Sequence, residues 1–201
     1  MNREDDIVKD LREHWFKDHK ATLTKQGGLE VLVWRNPKSC SYAIRYVFDG
    51  YKMYISGDIG EAVFCLTWKA NVHSFKDIYI SYFMEKMSAY NEDRYDFDCN
   101  VAGERLKQWK KDLLEDREFE NEFDEEEFIE TIDNMIDDVG NCNGEEQWAW
   151  EYVNEKYNDF ISENDADYWE WMYKIGRVIP QRIYGYLVGL QMASEQLKES
   201  E

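Results

Sequence analysis

Four carboxylates recur at steps of four, three and four residues: Glu126, Glu130, Asp133 and Asp137. At 100° per residue they share one narrow strip of a helix, opposite an apolar face of Phe128, Ile129, Ile132, Ile136 and Val139. Their spacing along the axis is about 4.5–6 Å. Like charges so placed cost a helix about 0.2–0.5 kcal/mol per pair, so a face needing only solubility does better with lysines mixed in. A fixed row of negative charges resembles the phosphates of a nucleic acid, which carry one charge per ~1.7 Å of duplex axis. The chemistry expected of it is capture of Arg and Lys on a protein that otherwise grips nucleic acid. Upstream, Asp116, Glu118, Glu120 and Glu122 continue the acidic run, and these eight residues are the candidate partner-binding surface. The competing reading is a solvated acidic face without a partner.

Carboxylates could also hold a metal. From Asp116 to Glu127 they occupy places one, three, five, nine and twelve of a twelve-residue window, the outline of an EF-hand loop. The sixth place is Asn121, where the sharp turn needs Gly, and Phe119 and Phe123 interleave as if facing a core. His14, His19 and His73 lie outside the acidic run with no zinc-ligand spacing, so no metal or cofactor is expected.

Catalytic motifs are sparse. The sequence contains no Gly-x-Ser-x-Gly elbow, no phosphate-cradling Gly-x-x-x-x-Gly-Lys and no His-Glu-x-x-His. Asp58 and Glu61 flank a glycine loop with Lys69 further on, which leaves a metal-dependent nuclease as an alternative. A glycine turn between two strands accounts for the same residues. His73, before a helix, reads as a cap or surface residue. Cys40, Cys65, Cys99 and Cys142 form no Cys-x-x-Cys pair and read as reduced packing cysteines.

Charge is distributed unevenly. Residues 115–170 hold 22 Asp and Glu against Arg117 and Lys156, while the rest of the chain holds 22 basic against 21 acidic residues. The acidic stretch also carries Phe119, Phe123, Phe128, Trp148, Trp150 and Trp169, with Trp171 next to it, too many aromatics for a disordered acidic tail. It should fold and hold its carboxylates in place. A sequence pI near 4.5 speaks against direct attraction to nucleic acid or an anionic membrane and for a basic protein partner. No apolar run approaches the ~20 residues of a membrane span and no signal peptide opens the chain, so an intracellular, cytoplasmic protein is expected.

The elements that must position these residues read as α+β: an N-terminal helix, a three- to four-stranded antiparallel sheet, then a mostly helical acidic second half. Ile7, Val8, Leu11, Trp15 and Phe16 recur at helical spacing. Strands are expected over Leu29–Trp34, Ser41–Phe48, Tyr51–Ser56 and Glu61–Trp68, with a two-residue type I′ turn at Asp49-Gly50. From Ser74 a helix would bury Ile78, Tyr82, Phe83, Met87 and Tyr90, started by a capping box of Ser74 and Asp77. A second would carry Val101, Leu106, Trp109 and Leu113, a third starts at Asp124, a fourth near Glu145 and a fifth after Asp165, divided at Pro180. Gly185 and Gly189 have the spacing that permits close helix packing. A boundary between 1–115 and 116–201 fits the shift in charge, with one continuous domain as the alternative.

The stretch Tyr42–Trp68, YAIRYVFDGYKMYISGDIGEAVFCLTW, resembles a segment of small proteins carried by phages and mobile elements of Firmicutes. Some small acidic proteins of that setting are anti-CRISPR proteins, including inhibitors of the type II effector Cas9. The resemblance covers residues 29–115 and carries over no functional positions. It implies phage-borne counter-defence, and hence guide-loaded Cas9 as the basic, nucleic-acid-binding partner. Such an effector holds nucleic acid in a positively charged channel.

Overall fold

The structure, a computed structural model, describes residues 3–115, 117–119 and 121–199. They divide into two compact units, Met1–Arg94 with Ile179–Glu201, and Tyr95–Val178.

In the first unit α1 (Arg3–Asp10) widens into a π-turn over Leu11–Trp15, closed by the Phe16 N–H on the Leu11 carbonyl at 2.9 Å. There follow β1 (Lys20–Gln26), β2 (Leu29–Arg35), β3 (Ile44–Asp49), β4 (Lys52–Gly57), β5 (Ala62–Cys65), α2 (Ile80–Glu85) and β6 (Met87–Tyr90). Among the described residues six strands form one antiparallel meander in chain order. Period-two alternation turns Leu32, Trp34, Ile44, Tyr46, Phe48 and Met53 to one face, where they are buried.

Two strands beyond the expected three or four explain the difference. β1 is polar, and only Ala21 and Leu23 turn towards the core, so its seven residues lack a strand-like apolar pattern. Tertiary pairing decides instead, from Lys20 against Arg35 to Gln26 against Leu29. β6 hides in a helical spacing: Phe83, Met87 and Tyr90 suit one helix face, yet α2 stops at Glu85 and the chain pairs with β5. The capping box also sits earlier than expected. Asn71 accepts the His73 N–H at 2.8 Å and its own N–H meets Ser74 Oγ at 3.0 Å, opening a 3₁₀ turn over Val72–Phe75. The β3–β4 loop is Gly50-Tyr51 rather than Asp49-Gly50; only Gly50 has positive φ (+58°), which fits type II′. The type I′ pattern belongs to Gly27-Gly28 between β1 and β2, at φ +60° and +85°.

The chain then builds the second unit: β7 (Asp96–Phe97), α3 (Cys99–Glu115), α4 (Glu122–Gly140) and α5 (Glu145–Gln147), which continues as a π-helix over Trp148–Lys156. α6 (Asn158–Asn164), α7 (Tyr168–Trp171) and β8 (Arg177–Val178) complete it. β8 pairs with β7, so the unit's two ends meet. α3 and α4 run antiparallel: Lys110 meets Asp133, and the Cys99 thiol lies 3.3 Å from the Cys142 carbonyl. Between them a core of Leu106, Ile132, Met135, Val139, Trp148 and Ile161 is buried.

Finally α8 (Gln181–Lys198) starts afresh after Pro180 rather than as the second half of a helix running from Asp165, since β8 intervenes; it returns to the first unit and covers the sheet. Gly189 is the point of close approach: a Cβ there would lie 2.9 Å from Tyr46 Oη and 3.1 Å from Trp34 Cδ1. The division of units thus falls at residues 94/95 and 178/179 rather than at 115/116. α3 packs in the helical core through Ala102 and Leu106, and α8 packs on the sheet.

Candidate acidic docking surface

Essentially all the net charge lies in the second unit. Its residues 95–178 include 26 Asp and Glu against 8 Lys and Arg, leaving 17 against 16 for the first unit. α4 is the element that organises them. It is capped by Asn121, whose side chain accepts the Asp124 N–H at 3.1 Å, rather than by Asp124 itself. Glu122, Asp124 and Glu125 then occupy the first turn, where the helix dipole favours negative charge.

Burial along α4 follows the 3.6-residue period. Phe128, Ile132, Met135 and Val139 are buried, Ile129 and Ile136 half-buried, and Glu126, Glu130, Asp133 and Asp137 exposed on the opposite side. Glu118 and Glu122 are exposed as well; Asp116 and Glu120 lie outside the described residues. The strip is not uniformly negative, because Lys110 of α3 reaches Asp133 at 2.6 Å. That contact depends on how α3 packs, which no local pattern reveals.

Both cations of the acidic stretch are engaged internally. Arg117 lies over the Phe128 ring at 4.5 Å and bonds Asn164. Lys156 Nζ meets Asp138 Oδ2 at 2.6 Å, and the same oxygen accepts the Tyr157 hydroxyl at 2.5 Å. The hydrogen bond to Asp138 raises the Lys156 ammonium above its ordinary range. Burial first, then the bond to Asp138, pushes the Tyr157 hydroxyl up to about 12. Asp138 is thereby committed to structure, and among the described residues neither Arg117 nor Lys156 forms an ion pair with Glu126, Glu130 or Asp137.

Phe123, expected to face a core, is instead 71% exposed, whereas Phe119 does pack against the helical core. The helical wheel could have found this: Phe123 stands about 60° from Glu126, on the solvent side. Trp150 and Trp169 are exposed too, while Trp148 is fully buried and donates Nε1–H to the Met172 carbonyl at 2.9 Å. Trp171 is half-buried against Asp165.

The remaining candidates have structural partners. In the 116–127 window the helix has begun by Glu122, so places seven to twelve cannot wrap an ion as a loop does. Among the described residues no group of three or more His, Cys, Asp or Glu could hold a metal. Asp58 Oδ2 accepts the Tyr42 N–H at 2.7 Å, and the Glu61 N–H donates to Asn91 Oδ1 at 3.1 Å. His73 Nδ1 lies 2.8 Å from the buried Ser194 hydroxyl of α8. All four cysteines are thiols.

Comparison with protein-family models, with curated proteins and with solved structures finds no match. Among the described residues no helix is long and apolar enough to cross a membrane.

Proposed function

We propose that this protein is a non-catalytic inhibitor that occupies a basic, nucleic-acid-binding surface of a defence nuclease with the acidic second unit. The observation that carries the reading is the α4 strip: exposed carboxylates in one line on a folded helix, the cations of the surrounding stretch being turned to internal partners. A surface of this kind competes with phosphates for the same Arg and Lys, and does so without paying the ordering entropy of a disordered tail. Its long-range attraction acts mainly on the rate of encounter.

The resemblance of the Tyr42–Trp68 stretch to phage-borne proteins directs the choice of effector to guide-loaded Cas9. The test is binding of the purified protein to that complex, with and without target duplex, at about 0.1 and 0.5 M salt, where screening differs strongly. Salt-weakened binding that excludes the duplex, lost in E126K/E130K/D137K with the fold retained by circular dichroism, is expected. Absence of binding at both salts overturns the choice of effector. Binding that survives the triple charge reversal overturns the role of the strip.

A further inference from the structure

The sheet of the first unit has a second face that takes no part in the core. Register places Thr24, Val31, Val47, Tyr54, Val63 and Ala89 in one row across all six strands. The three valines and Tyr54 are partly exposed despite lying on interior strands, and none packs with the core of the unit. Isolated surface apolar residues need no explanation, but a continuous row does.

The same face is cationic. Lys20 stands opposite Arg35, Arg45 follows one row further along, and Lys52 lies beyond the apolar row. All four are exposed and none has an ion-pair partner among the described residues. Two carboxylates share the face, Asp49 opposite Lys52 and Glu61 in the groove beside Tyr54 and Val63, so it carries four exposed cations against two acids in a protein with 43 Asp and Glu. From strand spacing and rise, the diagonal Lys20 to Lys52 spans about 25 Å.

We infer that this face binds the α4 strip of a second copy of the chain, head to tail. The strip has the required length: Glu122 to Asp137 extends about 22 Å along the helix. It has the opposite charge, and it carries its own apolar anchor, Phe123, on the same solvent-facing side. Phe123 enters the Val47, Tyr54 and Val63 row while the carboxylates meet the diagonal of cations. A face-to-face pairing of two sheets would instead oppose like charges. A single-stranded nucleic acid would find Tyr54 as the sole aromatic of the row, where stacking sites offer several.

The contact is heterologous, so association either grows with concentration or closes as a ring. It also uses the surface that the proposed function assigns to the effector, and self-association would hold that surface covered until a stronger cationic partner displaces it. The inference stands on the sheet face and the strip, and is tested without any effector. Analytical ultracentrifugation of the wild type at low and high concentration, in low and high salt, should show salt-weakened self-association. R35E/R45E/K52E and E126K/E130K/D137K should each be monomeric, and F123S should associate more weakly. Mixed one to one, the two reversed variants should associate again, since an intact strip meets an intact face at one junction and a reversed strip meets a reversed face of opposite charge at the other. A wild type that is monomeric at every concentration overturns the inference, as do reversed variants that associate like the wild type. Salt-sensitive binding of a labelled single-stranded oligonucleotide to a monomeric wild type assigns the face to nucleic acid and overturns it equally.

Discussion

The Asp58 carboxylate accepts the backbone N–H of Tyr42 at 2.7 Å, and Tyr42, at φ +57°, is the one non-glycine among the described residues with a left-handed backbone. The carboxylate therefore holds a conformation that costs of order 1 kcal/mol or more for a bulky residue. The Trp15 ring stacks on Tyr42 at 4.3 Å and fixes the other side. Asp58→Ala should lower stability by about 1–2 kcal/mol, whereas Asp58→Asn, which keeps an acceptor oxygen, should cost less than half of that. Urea denaturation with and without magnesium checks both points. Equal losses for Ala and Asn, or a magnesium-dependent difference, would count against a purely structural Asp58.

The strip on α4 sets stability against recognition. Glu130 faces Glu126 one turn back and Asp133 one turn ahead. Glu130→Lys replaces repulsion with an attractive pair in the favourable order and should stabilise the protein by about 0.2–0.5 kcal/mol per relieved contact. The thermal midpoint should rise in low salt, and the gain should shrink in high salt. A variant less stable than wild type would show that Glu130 has a partner the strip geometry does not assign.

Two glycine-to-alanine changes should have opposite signs. At Gly189 the added methyl meets Tyr46, Trp34 and Ile44 within 3.2 Å, so overpacking should cost about 1–3 kcal/mol. At Gly140, the last residue of α4, nothing lies within 4 Å and φ is not positive, so Ala should stabilise by up to about 1 kcal/mol. Hydrogen exchange should place the first loss in β2, β3 and α8 and the second gain in α4.

These cases separate what is written locally from what is not. The meander from β2 to β5, α3 and α4 were legible because each carries its own period, and the acidic strip followed from the helix period alone. β1 was not, since a polar edge strand is defined by its partner; neither was β6, whose Met87 and Tyr90 fit helical spacing equally well. The return of α8 to the sheet, the Lys110 contact with Asp133 and the commitment of Asp138 to Lys156 and Tyr157 all arise from tertiary packing. The cationic diagonal on the sheet requires register, which a single sequence leaves open.

His19 is 3% exposed, packed beside Trp34 and Phe16, with Nε2 at 3.2 Å from the Tyr42 carbonyl. Burial holds its pKa below the ordinary 6.5, with the Tyr42 contact and the nearby Asp18 opposing. The unfolded chain then takes up a proton before the folded one does. Stability is complete above about pH 6.5 and falls as the pH drops through the folded pKa. His19→Gln should remove this part of the acid loss, read as the difference in thermal midpoint between about pH 7.5 and 5.5. An unchanged difference would mean that carboxylates alone govern the slope.

Tyr157 provides the alkaline counterpart. Its folded pKa of about 12 lies above the ordinary 10, so the stability it supplies is complete below pH 10 and is lost as pH rises towards 12. Tyr157→Phe should flatten that loss. Because burial also raises Tyr46, Tyr184 and Tyr186, the hydroxyl is read as the difference in tyrosinate absorbance between wild type and Tyr157→Phe, and a difference completed near pH 10 would contradict the bond to Asp138.

The second unit interrupts the first between β6 and α8, and its own ends are joined by the β7–β8 pair. On the ribosome every residue of the acidic unit is therefore made before α8, the helix that closes the sheet. For the time needed to synthesise residues 95–198, Trp34, Ile44 and Tyr46 stand without their covering helix, while the acidic unit has all its residues once Val178 is made. The nascent chain thus carries its charge before its first core is sealed, a built-in solubilising group for the slower half.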